Sequence, residues 1–212
     1  MKETTRDILL EFAKDNPKLA GLATDMVITF ARLQETFASG GTLYICGNGG
    51  SCSDAEHIAG ELLKSFKKPR MVDTKTMGAL MEQGVDGATT LDGIEGGLPV
   101  VPLTAFPAFA TAYANDCDGE YTFAQLCNVL MKEGDALLTI STSGNSKNCV
   151  HAARVAKAKG GKVLFLGGGN GGVLQGLADA SIIAPETQTY KVQECHLPIY
   201  HCICAMLEEE FF

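Results

Sequence analysis

Apolar residues recur every three to four positions through the first 38 residues: Ile8, Leu9 and Phe12, then Leu19, Leu22, Met26, Val27, Phe30, Leu33 and Phe37. That spacing predicts two helices within residues 1–40, with Asn16-Pro17 as the break between them. The pattern then changes period. Leu43-Tyr44-Ile45-Cys46 is a continuous apolar run, and similar runs occupy 98–103, 136–140, 162–166 and 180–184. Short unbroken runs of this kind predict strands covered on both faces, the condition of a parallel sheet. Helical stretches separate them: the segment after Gly50 as far as Phe66, then 106–114, 121–131, 147–159, a short one at 173–177, and a long one at 192–210 that closes the chain. Strands alternating with helices predict an α/β fold, a three-layer open and mainly parallel sheet of about five strands, as one domain over 1–212. One stretch does not fit. Residues 71–97 are rich in glycine and keep no period, which reads as an inserted, mobile loop.

Two strand-to-helix junctions carry candidate chemistry. After the 43–46 strand, Gly47-Asn48-Gly49-Gly50 allows a tight turn, and Ser51, Ser53 and Asp54 are residue types that start helices. After the 136–140 strand comes Ser141-Thr142-Ser143-Gly144-Asn145-Ser146, in which every residue but Gly144 offers a hydroxyl or an amide. A loop of this sort in front of a helix start suits an anion, most simply a phosphate, because backbone N–H groups and the helix dipole face the same point. For the second loop a plain helix N-cap is the alternative. In open α/β sheets ligands sit at the carboxyl ends of the strands, where both junctions fall.

Composition narrows the field. The formal charge of −8 provides no basic footprint for nucleic acid or anionic lipid, and Lys67-Lys68-Pro69-Arg70, the one dense basic cluster, reads first as a solvated helix end. No apolar run approaches the roughly 20 residues of a membrane span, and the polar start Met1-Lys2-Glu3-Thr4 lacks a signal-peptide core, so a cytoplasmic protein is expected. The eight cysteines then read as reduced thiols used as small core residues. Cys52, beside the glycine turn at a helix start, is an alternative nucleophile if its pKa is lowered.

His57 and Glu61 are four apart on the helix after the first turn and share a face. The plain alternatives are a hydrogen-bonded core imidazole and an exposed partner of Lys64. With these residues a resemblance emerges. Gly47-Asn48-Gly49-Gly50-Ser51, Asp54-Ala55-Glu56-His57, Glu61-Leu62, Ala114-Asn115-Asp116, the Ser141–Ser146 loop and Val192-Gln193-Glu194 with His201 resemble the phosphoheptose isomerase branch of the sugar isomerase (SIS) domain family, in order over nearly the whole chain. The resemblance implies a flavodoxin-like sheet, a homotetramer with active sites at subunit interfaces, and conversion of sedoheptulose 7-phosphate to D-glycero-D-manno-heptose 7-phosphate through an enediol. Position by position it implies that Ser141, Thr142, Ser143 and Ser146 hold the phosphate. Asn48, Gly49, Gly50 and Ser51 lie near the sugar, Asp116 bonds its hydroxyls, and Gln193 also contacts substrate. Glu61 and His201 correspond to the acid/base pair, and His57, Glu61, Gln193 and His201 match positions that bind Zn²⁺ in members carrying it.

Gln193 and His201, eight residues apart, are separated by about 12 Å along a continuous helix, which strains a shared metal site. Either the helix starts later, long side chains converge, or the two come from different subunits. The chain also departs from the family: Ser65 stands where an arginine is usual, Ala105-Phe106-Pro107-Ala108 replaces a polar stretch, and about 25 residues between Met71 and Glu95 are extra. That segment is expected near the sugar end of the pocket, where it would change which sugar phosphate fits. A non-catalytic SIS module that binds a sugar phosphate or a protein such as a replication initiator is the alternative to the enzyme. Retention of both Glu61 and His201 favours the isomerase.

Overall fold

A computed structural model describes all 212 residues. Two helices, α1 (Glu3–Asp15) and α2 (Ala23–Ala38), lead into strand β1 (Leu43–Gly47) and helix α3 (Gly50–Leu63). Helices α4 (Thr74–Met81) and α5 (Val85–Asp92) precede β2 (Val100–Pro102), α6 (Pro107–Asp116) and α7 (Thr122–Leu130). Then follow β3 (Ala136–Ser141), α8 (Lys147–Ala158), β4 (Lys162–Gly168), α9 (Gly172–Leu177), β5 (Ala180–Ala184) and α10 (Thr189–Phe211). The predicted helices and strands are all present with ends shifted by a few residues.

Pairing is parallel throughout, in the order β2-β1-β3-β4-β5. The strands read as unbroken apolar runs because alternate residues enter two different cores. Leu43 and Ile45 of β1, Leu138 and Ile140 of β3, and Leu164 and Leu166 of β4 face a core completed by α1, α2, α3 and α10. Tyr44, Cys46, Leu137, Val163 and Phe165 face the opposite one, completed by α7, α8 and α9. Sheet order reverses between β1 and β3, so the loops after these two strands diverge and leave a crevice, the usual ligand position in such sheets. Both predicted anion loops border it.

Two expectations change. Residues 71–97 are not an irregular loop but a helical hairpin. Asp73 caps α4 by accepting from the Thr76 amide at 3.0 Å, and Gly84, at φ +75°, makes the turn between the helices. At Gly87 a Cβ would run into the Leu80 carbonyl, so this glycine permits close helix packing instead of breaking a helix. The hairpin is anchored at its stem, where Gly96 N–H donates to the Arg70 carbonyl (3.0 Å) and Ser65 N–H to the Glu95 carboxylate (2.8 Å).

The basic cluster is not simply a solvated helix end either. Arg70 is buried, ion-paired through Nε to Glu208 at 2.8 Å, and donates to the Leu62 and Glu61 carbonyls at 2.7 Å each. It therefore caps the C-terminus of α3 and ties it to α10. Glu208 also accepts from the Phe66 and Lys67 amides, both at 2.8 Å. Burial pushes its carboxyl upward, but those amides and the guanidinium outweigh that and hold its pKa below the usual carboxylate range. No helix is long and apolar enough to cross a membrane.

Candidate functional site

The first of the two predicted anion loops owes its shape to glycine. Gly49 has φ +57° with ψ −121°, a conformation closed to residues with a side chain, and a Cβ on Gly47 would lie 2.5 Å from the Ser51 carbonyl oxygen. Helix α3 then starts at Gly50 with no side chain capping it. Ser51, Ser53 and Asp54 thus sit inside the first turns of α3, not at its cap. In the second loop Gly144 (φ +65°) packs its α-carbon against the Gly171 carbonyl. Ser146 precedes α8 without a capping bond; its hydroxyl meets that of Ser141 at 3.0 Å. Ser146 therefore does not cap the helix through its side chain, and the one side-chain acceptor in the first turn of α8 is Asn148 Oδ1, which takes the Cys149 amide at 3.0 Å.

Asn145 acts differently from the hydroxyl residues around it. It accepts from the Val173 amide at 3.1 Å and donates to the Ser143 carbonyl at 2.9 Å, fastening the loop to α9. Thr142 and Ser143 remain accessible on the loop. The two junctions are joined by an amide pair. Asn48 Nδ2 donates to Asn148 Oδ1 at 2.9 Å, and Asn148 Nδ2 returns a bond to Asn48 Oδ1 at 2.8 Å. Sequence reasoning misses Asn148, whose place in the first turn of α8 is the only signal. Asp116 ends α6 in an exposed position and accepts from Asn115 at 2.9 Å. The turn after it is held to the first turn of α8 by the Lys147–Glu120 ion pair at 2.9 Å.

Farther along α3, His57 and Glu61 meet His201 of α10. His57 Nε2 lies 3.2 Å from Glu61 Oε1 and 3.4 Å from His201 Nε2. One donor atom from each of the three side chains falls within 4.8 Å of the others. His57 is not a core imidazole, for 43% of its side chain is exposed, and Glu61 is not a freely solvated partner of Lys64, since only 16% of it is exposed, although Lys64 Nζ does approach to 3.7 Å. Partial burial, with His57 alongside and against the pull of Glu61, holds the His201 pKa below the usual imidazole value. A neutral His201 is a competent base and a competent metal ligand.

Gln193 stands apart from this group. Its amide lies against Gly50, where a Cβ would come within 2.5 Å of Nε2. Because α10 is already helical from Thr189, a late helix start does not reconcile Gln193 with His201. Within one chain, three of the four positions that the resemblance implies for a metal converge, and the fourth, Gln193, borders the Gly47–Gly50 turn. Cys52 has no lowered pKa; burial raises it, the Thr104 hydroxyl pulls it down, and Glu56 raises it, with a net rise that disfavours a thiolate nucleophile.

Two further groups contact the cluster from behind. Tyr200 places its hydroxyl 2.9 Å from His57 Nδ1 and donates to Asp54 Oδ1 at 3.4 Å. Neither is visible as a functional residue in the sequence, where Asp54 reads as a helix starter and nothing marks Tyr200.

Comparison with known proteins bears on this arrangement. The SIS domain family matches residues 111–207. The chain is 34% identical over 209 residues to a phosphoheptose isomerase of Pelodictyon phaeoclathratiforme, covering 98% of this chain and 88% of that protein. With the phosphoheptose isomerase of Nitratiruptor sp. it shares 37% over 169 residues, covering 80% and 77%. Among solved structures, a phosphoheptose isomerase from Neisseria gonorrhoeae matches with a TM-score of 0.73 at 25% identity over 95% of this chain and 93% of that one. One from Francisella tularensis matches with a TM-score of 0.70 at 26% identity over 98% and 94%.

Proposed function

Because the chain belongs to the phosphoheptose isomerase family of SIS-domain proteins, we propose that it is an aldose–ketose isomerase interconverting sedoheptulose 7-phosphate and D-glycero-D-manno-heptose 7-phosphate through an enediol. The observation that carries the reading is the convergence of Glu61 and His201 from separate helices in a molecule whose two anion loops are joined across one crevice. A module that only held a phosphate would need the loops alone.

Ser141, Thr142, Ser143 and Ser146, in front of the first turn of α8, would take the phosphate, where the helix dipole and N–H groups meet its charge. Asn48, Gly49, Gly50, Ser51 and Gln193 would line the sugar, with Asp116 accepting from its hydroxyls. Isomerisation moves a proton between C1 and C2 while the carbonyl and hydroxyl exchange places. A carboxylate such as Glu61 would carry the carbon-bound proton, and the imidazole of His201 would serve the oxygens. The nitrogen and oxygen donors of His57, Glu61 and His201 fit a divalent cation such as Zn²⁺, which when bound would polarise the substrate carbonyl. Since Gln193 lies away from that cluster, the reading includes a homotetramer in which one subunit's cluster and another's loop complete each site. It also places the enzyme in the cytoplasm.

The helical hairpin leaves the fold just beyond Glu61, and this position supports a role in selecting the sugar.

The reading is tested by NMR with sedoheptulose 7-phosphate in D₂O, with and without Zn²⁺. The expected result is deuterium incorporation and aldose formation, reduced by at least about 10²-fold in Glu61→Gln. Phosphate ester bound tightly with no exchange under either condition would sink the isomerase and favour a non-catalytic sugar-phosphate module.

A further inference from the structure

We infer that Tyr200, held by Asp54, is a positioning residue that fixes His57 as a metal ligand through Nε2. The inference rests on the metal reading of the His57, Glu61 and His201 cluster and extends it to two residues outside that set.

Asp54 lies behind Tyr200 as seen from His57, accepting from its hydroxyl at 3.4 Å. Its Oδ2 is buried without any hydrogen-bond partner, and Nδ1 of the fully buried His196, 3.9 Å away, is itself unpartnered. His196 is committed elsewhere through Nε2, which meets the Gly167 carbonyl at 3.2 Å. The Tyr200 hydroxyl is thus the one side-chain donor to this carboxylate, at Oδ1. A phenol has a single proton. If Tyr200 turned it toward His57, the half-buried Asp54 would lose its one side-chain donor while Oδ2 stays buried and unpartnered, a costly arrangement for a carboxylate.

With the tyrosine proton on Asp54, the Tyr200 oxygen can only accept from His57, and at 2.9 Å it accepts Nδ1–H. The neutral ring then carries its lone pair on Nε2. That atom points at Glu61 Oε1 (3.2 Å) and His201 Nε2 (3.4 Å). A lone pair facing a carboxylate is unfavourable by itself and is relieved by a cation between them. The chain Asp54–Tyr200–His57 therefore performs the service that carboxylates and carbonyls behind metal-bound histidines perform elsewhere: it sets the ring's tautomer and its orientation. The ring stacking supports the same geometry, since the Tyr200 ring stands nearly edge-on to both His57 and His201, with centroids 5.5 and 5.0 Å away. Hence the tyrosine restricts both imidazoles at once.

Titration of the full-length protein with Co²⁺, followed by visible absorption, and competition with Zn²⁺ test this directly. Wild type is expected to bind one ion per cluster, and His57→Ala to lose it. Tyr200→Phe keeps the ring and removes only the hydroxyl; it should weaken binding by about 10–100-fold with unchanged far-UV circular dichroism. Asp54→Asn should weaken it in the same direction. In Zn²⁺-loaded wild type, long-range ¹H–¹⁵N spectra should show His57 protonated at Nδ1 with a slowly exchanging proton, and that protection should be lost in Tyr200→Phe. A Tyr200→Phe affinity within about twofold of wild type overturns the role of Tyr200 while leaving the metal site standing. Absence of any wild-type binding that His57→Ala removes overturns the metal reading and this inference with it.

Discussion

The seam between α3 and α10 and the hairpin of α4 and α5 are both helical, yet opposite forces hold them. At the seam, Ile58, Ala59 and Leu62 of α3 pack with Ile199, Ile203, Met206 and Leu207 of α10 inside one core. The buried Arg70–Glu208 pair spans its end. In the hairpin only Gly87 is buried, and Met81 and Val85 are exposed at 56% and 82%. Its helices exist through local devices: a cap at Asp73, a positive-φ turn at Gly84, and packing of the two helices on each other. The seam brings Glu61 to His201, whereas the hairpin is an appendage fixed at its stem. The site is therefore positioned by elements with a shared buried core, and the hairpin by local contacts alone.

The largest effect that would test this contrast is expected from Arg70→Ala. It strands Glu208, 1% exposed, without its cation, and should cost about 3–5 kcal/mol in denaturant unfolding. Loss of less than about 1 kcal/mol would mean that the two amides satisfy Glu208 alone and that the pair does not define the seam. The double variant Arg70→Met/Glu208→Leu leaves no charge stranded, and it should recover part of the loss.

Acid should expose the same feature at smaller amplitude. The folded pKa of Glu208 is depressed, so its contribution to stability is complete above the unfolded carboxylate value and is lost as pH falls through the folded value. Unfolding midpoints measured from pH 7 down to 3 should decline more steeply in wild type than in the double variant. Equal slopes would remove Glu208 from the account of acid sensitivity.

At the hairpin, Asp73→Ala should accelerate amide exchange across α4 and leave the global midpoint unmoved, because no core residue depends on that helix. Replacing residues 73–94 by a short glycine linker should also spare the core: thermal unfolding should stay cooperative with a midpoint within a few degrees of wild type. A large fall would show that the hairpin contributes to the core after all. If the fold survives, the shortened protein also reveals whether the sugar preference belongs to the hairpin.

The chain's own order of residues determined the sheet and its loops. Unbroken apolar runs announce strands buried on both faces, and glycine or serine clusters at their ends announce tight turns into helix starts; both are properties of neighbouring residues. The His57–Glu61 pair was legible for the same reason, since four residues on a helix is a local distance. Only the tertiary structure decided the rest. Arg70 read as solvated because nothing nearby in sequence says that Glu208, 138 residues later, would be buried against it. Tyr200 carried no signal in the sequence because its partners, His57 and Asp54, lie 143 and 146 residues away. The glycines of the hairpin were misread because a glycine that lets two helices touch is indistinguishable, in one dimension, from one that ends them. Local patterns encode what a segment can become, and the meeting of segments distant in sequence decides which of its polar groups must find partners and where.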